Sequence, residues 1–191
     1  MECFLTLHPD WRNPYFPRGP FRSPQPAKRK VFVSYHHERD QSWFDYFTNQ
    51  FSETFDVFQD QSLDEEVDSE DLDYVNRVIR EDYIGGSSIT IVLCGAETWK
   101  RRFVDWEIAS TLHYEHALLG IVVPGTMPNV DGKFAVPMRL HENIQSGYAA
   151  FVSQWPSSPT ELKGQIEGAL SKSLLKFHIE NDRVKMRRNL P

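Results

Sequence analysis

The stretch Ser88-Ile89-Thr90-Ile91-Val92-Leu93-Cys94 decides the fold. It is apolar and β-branched with almost no polar alternation, so it reads as a strand buried on both faces. Such strands belong to parallel sheets with helices on either side. Gly85-Gly86, just before it, suits the end of a helix capped by Ser69, with Leu72, Val75, Val78 and Ile79 inward. Just after it, Thr98 to His116 has helical spacing, with Val104, Ile108 and Leu112 on the core side.

The same alternation extends outward. Upstream, Val31-Phe32-Val33-Ser34-Tyr35 is a strand, and Asp40 is placed to cap a helix whose apolar face is Phe44, Phe47 and Phe51. Phe55 to Phe58 is a second short strand, followed by the acidic segment Asp60–Asp73. Downstream, Leu118 to Val123 is a strand stopped by Pro124-Gly125. A loop-rich stretch then runs to about Pro159, holding a short fifth strand at Tyr148–Val152, before a last helix from Thr160 to about Phe177. Parallel strands need helical crossovers that cover both faces, so the expectation is a three-layer α/β fold on a central parallel sheet. Half of the twelve prolines fall between Pro9 and Pro26, which makes residues 1–28 an extended arm. The domain proper spans 29–178, and the basic tail 179–191 is expected to fray around Lys185–Arg188.

Composition narrows the function. A chain of 191 residues with 40% hydrophobic content supports one packed domain rather than two. A net charge of −6 argues against nucleic acid and anionic membranes as partners. No apolar run is long enough to cross a bilayer, and the first residues lack the form of a signal peptide. Cys3 and Cys94 make an improbable disulfide, which suits a reducing cytoplasm.

Several chemical signatures are missing. There is no dinucleotide-binding or phosphate-loop glycine pattern, no nucleophile elbow, and no zinc or calcium spacing, so no metal is expected. Ligands of such sheets bind beyond the carboxyl ends of the strands, which here lead to Ser34–His37, Asp60–Asp68 and Gly95–Thr98. His36 and His37 read first as ordinary loop histidines, with at least one of them lining a pocket as the second reading. In Trp99-Lys100-Arg101-Arg102-Phe103-Val104-Asp105-Trp106-Glu107-Ile108, Glu107 falls beside the buried line of the helix, between Phe103 and Thr111. Periodicity alone also allows a surface glutamate paired with Arg101 or Arg102.

These stretches together resemble a known family. Lys30 to Asp40, Arg80-Glu81-Asp82-Tyr83-Ile84, the strand Ser88–Gly95, and Thr98 through Ile108 are similar, in order and spacing, to bacterial TIR-like domains, including the TIR-like proteins of Thoeris antiphage systems. The likeness covers roughly residues 29–178. It implies a flavodoxin-like fold. It also implies cleavage of the nicotinamide–ribose bond of NAD, with NAD as substrate and no cofactor, by a glutamate in the place of Glu107. The substrate-binding set expected with it is Ser34, Tyr35, His36, Phe103 and Trp106; Tyr35 and Trp106 offer faces on which flat bases stack, as would Trp43, whose place on an apolar helix face reads first as core. The product would be a cyclic or modified ADP-ribose that activates a separate effector, with self-association and a phage trigger as further expectations. The acidic segment Asp60–Asp73 reads first as a solvated charged loop and second as a candidate gate for that response. Many TIR domains are adaptors that act through self-association, and a flavodoxin-like nucleotide binder shares the layout, so these readings stand beside the enzymatic one.

Overall fold

The computed structural model describes residues 28–58 and 84–191. The sheet runs β1 (Arg29–Ser34), β2 (Phe55–Phe58), β3 (Ile89–Cys94), β4 (Ala117–Val122) and β5 (Ala150–Val152). The helices among the described residues are α1 (His37–Phe51), α2 (Arg102–His113), α3 (Met138–Ser146) and α4 (Pro159–Lys172). The strand order is β2-β1-β3-β4-β5, and every pairing is parallel. This is the doubly wound flavodoxin-like order, as expected. The helix expected from Ser69, the acidic segment and the arm up to residue 27 lie outside the described residues.

Alternation along the strands sends successive side chains to opposite faces. Val31, Val33 and Tyr35 pack with Phe44, Phe47 and Phe51 of α1 and with Leu162 and Ile166 of α4. Val92, Cys94 and Leu118 face the other way, against Val104, Ile108 and Leu112 of α2 and Leu140 of α3. β3 is buried at all six positions, as its unbroken apolar sequence requires. Among the described residues, no helix is long and apolar enough to cross a membrane.

Four expectations need correction. Asp40 does not cap α1. The helix begins at His37, and the Asp40 carboxylate accepts a hydrogen bond from the Thr98 hydroxyl at 3.1 Å. That carboxylate lies so close to Gly95 that a Cβ there would collide with it. Next, the helix expected from Thr98 is broken. A single 3-10 turn, Thr98–Lys100, precedes α2, and Arg101 between them is extended at φ −93°, ψ 122°. The stretch read as loops contains α3, which Gly147 terminates at φ +89°, a conformation that favours glycine.

The tail is the last correction, because it does not fray. Asn189 Oδ1 accepts from the Arg102 amide at 2.9 Å and so caps the amino end of α2. The Leu190 amide donates to the Lys100 carbonyl, and the Met186 amide donates to the Asp105 carboxylate. These bonds satisfy helix-end and buried groups that would otherwise need solvent.

Candidate active site

Strand order 2-1-3-4-5 reverses direction between β1 and β3, and open α/β sheets bind ligands in the crevice beyond that point. Ser34 is the last residue of β1 and pairs with Val92 of β3. Glu107 stands on α2, the helix after β3. The two meet there: the Ser34 hydroxyl donates to Glu107 Oε2 at 2.5 Å, with both residues buried. Such short contacts are typical of hydroxyl–carboxylate bonds. The surface-glutamate reading of Glu107 therefore fails: the residue is 2% exposed.

The backbone around Glu107 is held from the sheet as well. The Thr111 hydroxyl donates to the Glu107 carbonyl at 2.8 Å and contacts the Thr90 hydroxyl of β3 at 2.6 Å. One turn of α2 is thereby tied to β1 through a side chain and to β3 through a threonine pair.

His36 lies two residues beyond Ser34 and is 2% exposed. Burial holds its pKa below the ordinary histidine value, and the Arg101 guanidinium adds to that effect. Its Nδ1 is buried without a hydrogen-bond partner. A neutral imidazole with an open ring nitrogen at a strand end can accept from, or donate to, a ligand group. Arg101 forms an ion pair with Glu38 at 3.5 Å, and Arg39 with Glu97 at 3.2 Å, so the rim beside His36 carries both signs of charge.

The structure does not gather all the expected substrate residues. Ser34 and Glu107 are in contact, and His36 follows on the same strand end. Tyr35 points to the opposite face, 1% exposed, with its ring stacked 4.2 Å from that of His37 and 4.7 Å from that of Phe44. Its hydroxyl donates to Gln41. Trp106 is also engaged elsewhere: its indole N–H donates to the Met186 carbonyl at 2.7 Å. Phe103, one turn before Glu107, sets its ring against Trp106 at 5.5 Å and under the Arg102 guanidinium at 4.7 Å. It remains partly exposed.

Sequence reasoning missed the carboxylate two residues from Glu107. Asp105 is 3% exposed and Arg139 is fully buried, and the guanidinium reaches both carboxylate oxygens, at 3.0 and 3.4 Å. Arg139 also donates to Asn181 and to the Arg183 carbonyl. No periodicity marks this pair, because charged residues at such spacing are ordinarily exposed. Cys94 is a free buried thiol, and burial pushes its pKa far above the usual range, which leaves it unreactive. Among the described residues, no three histidine, cysteine or acidic side chains converge to hold a metal ion.

No curated protein matches the chain. The family model described as Thoeris protein ThsB, TIR-like domain, matches residues 32–128, just over half of the 191 residues. The match begins in β1, contains Ser34, His36 and Glu107, and ends past β4, so it covers the whole switch point just described. With that span and the parallel flavodoxin-like sheet, the chain belongs to the ThsB TIR-like domains of Thoeris antiphage defence.

Proposed function

We propose that this domain cleaves the nicotinamide–ribose bond of NAD and releases an ADP-ribose-derived signal for a separate effector protein. The observation that supports this reading most strongly is the buried Ser34–Glu107 contact at the β1–β3 switch point, on the helix after the third strand where the sequence resemblance implies a reactive glutamate.

The chemistry asks little of the protein beyond a well-placed carboxylate. When the C1′–N bond breaks, its electron pair leaves with nicotinamide as a neutral ring, so no strong acid is needed. Positive charge develops on the ribose, and the Glu107 carboxylate stabilises it. Ser34, donating to Oε2, orients the carboxylate before substrate arrives. His36 and Phe103 complete the substrate contacts, while Tyr35 and Trp106 act through packing. Water attacking the ribosyl cation yields ADP-ribose and a proton. An adenosine nitrogen or hydroxyl attacking instead yields a cyclic product.

The cytoplasm supplies the NAD, and low basal turnover that rises with self-association or a phage trigger keeps the pool intact. Incubating purified chain with NAD, with and without lysate from infected cells, and following nicotinamide by chromatography tests the proposal. Release that disappears in Glu107→Gln is the expected result. Absence of release under both conditions would favour the adaptor reading.

A further inference from the structure

An aromatic groove lies on the opposite face of the sheet from Glu107. Trp43 and Tyr46 of α1 and Trp155, before α4, form a mutual cluster with ring centroids 5.4, 6.0 and 6.1 Å apart. With Ser42 and Pro124 they line a cavity of about 520 Å³. Tyr46 is 50% exposed, although burying its ring would be favourable. The groove is built rather than loose. Phe47 packs edge-on against Trp155 at 5.9 Å, the Trp155 indole N–H donates to Gln50 at 3.4 Å, and Gln50 donates onward to the Ser157 carbonyl at 3.2 Å.

The chain carries a segment with matching chemistry. Pro14-Tyr15-Phe16-Pro17-Arg18-Gly19-Pro20 repeats proline at every third position. A polyproline II helix has three residues per turn, so the three prolines form one apolar edge. Aromatic-lined grooves recognise such edges, because the proline rings lie flat on indole and phenol faces and the extended backbone is already largely ordered.

The point where the arm leaves the domain makes the fit possible within one molecule. Lys28 donates to the Ser52 carbonyl at 2.7 Å, so the arm enters at the carboxyl end of α1. Tyr46 and Trp43 lie six and nine residues back along that helix, about 9 and 14 Å away. The eight residues from Pro20 to Lys28 span about 25 Å when extended. Asp45, beside Tyr46 in α1, adds an exposed carboxylate near the groove, and Arg18 lies between the second and third prolines.

We propose that the Trp43–Tyr46–Trp155 groove is the docking site for residues 14–20 of the same chain, held as a polyproline II helix. A full-length chain with a benzophenone amino acid at Tyr46 tests this by irradiation at low protein concentration and mapping of the adducts. The expected result is a cross-link to residues 14–20 within monomeric protein, lost when Pro14→Ala, Pro17→Ala and Pro20→Ala are combined. Placing the same probe at Ser42 should give the same adduct, which guards against a misfolded variant at position 46. Cross-links that form only between two copies, that fall outside residues 14–20, or that survive the triple alanine change would overturn the proposal. This outcome is independent of whether NAD is cleaved.

Discussion

The two carboxylates of α2, Asp105 and Glu107, are both nearly inaccessible, yet they face different surroundings. Asp105 lies in the seam between α2, α3 and the tail, where the Arg139 guanidinium and the Met186 amide engage it. Its charge is matched by a buried cation whose other donors reach Asn181 and Arg183. Glu107, half a turn on, is turned toward the end of β1 and takes the Ser34 hydroxyl at the crevice of the switch point. The comparison teaches that burial alone does not separate a structural carboxylate from a candidate site. Position relative to the strand ends does, because that is where an open sheet leaves room for a ligand.

Breaking the seam should have the largest effect. Arg139→Met leaves Asp105 charged and buried without its cation, which costs about 3–5 kcal/mol. Urea denaturation should show that loss, and a cost below about 1 kcal/mol would mean the seam is less dry than its geometry implies. Replacing Asp105 as well, by Asn, should recover part of the loss, since the uncompensated charge is then gone.

The crevice side responds in activity rather than stability. Under the proposed function, Glu107→Gln keeps shape and lowers NAD turnover by about 100-fold or more, while the thermal midpoint moves by only a few degrees. Turnover that survives in a folded Glu107→Gln chain would remove Glu107 from the chemistry. Ser34→Ala sharpens the test, because it spares the carboxylate and removes the hydroxyl that orients it. Its turnover should fall less than that of Glu107→Gln.

Trp106→Phe probes the seam more gently. It removes the N–H that Met186 accepts, and one such bond contributes about 1 kcal/mol. Amide exchange at Met186 and Leu190 should quicken as the tail loosens. Unchanged exchange would mean the remaining tail bonds hold it without the indole.

His36 should give the smallest effect, read through pH. Burial first, and Arg101 second, keep its folded pKa below the ordinary histidine value. A base shifted this way binds fewer protons folded than unfolded, so its stabilising contribution is present above that value and is lost as pH falls through it. Glu38 and Glu97 oppose the shift, and Arg39 reinforces it. His116, lowered by burial and then by Lys176, titrates in the same direction, whereas burial raises Asp40 and favours the fold as pH falls. His36→Asn should therefore flatten, without abolishing, the fall in urea midpoint between about pH 7 and pH 5. An unchanged profile would exclude His36 as a contributor.

The legible parts of the molecule share a physical character. β3 could be read directly because a strand buried on both faces has no polar positions to blur it. The core side of α2 could be read because Val104, Ile108 and Leu112 repeat at helical spacing. Helix α3 escaped notice because two of its three buried positions, Arg139 and Asn143, are polar. Tyr35 and Trp106 were candidates for a ligand because an exposed aromatic and a core aromatic have the same composition. Gln41 and Met186 decide where their polar atoms go.

Local sequence determined the five strands, helices α1, α2 and α4, and the parallel three-layer sheet, since hydrophobic period and crossover length are properties of short stretches of chain. It also determined that Glu107 sits at the edge of the buried line of its helix. Only the tertiary structure decided that Ser34, 73 positions away, meets that glutamate. It alone decided that Asp105 pairs with Arg139 and that the tail closes over α2. Those outcomes depend on which strand ends and helices become neighbours, and a buried charge finds its partner only once desolvation makes an unpaired one too costly.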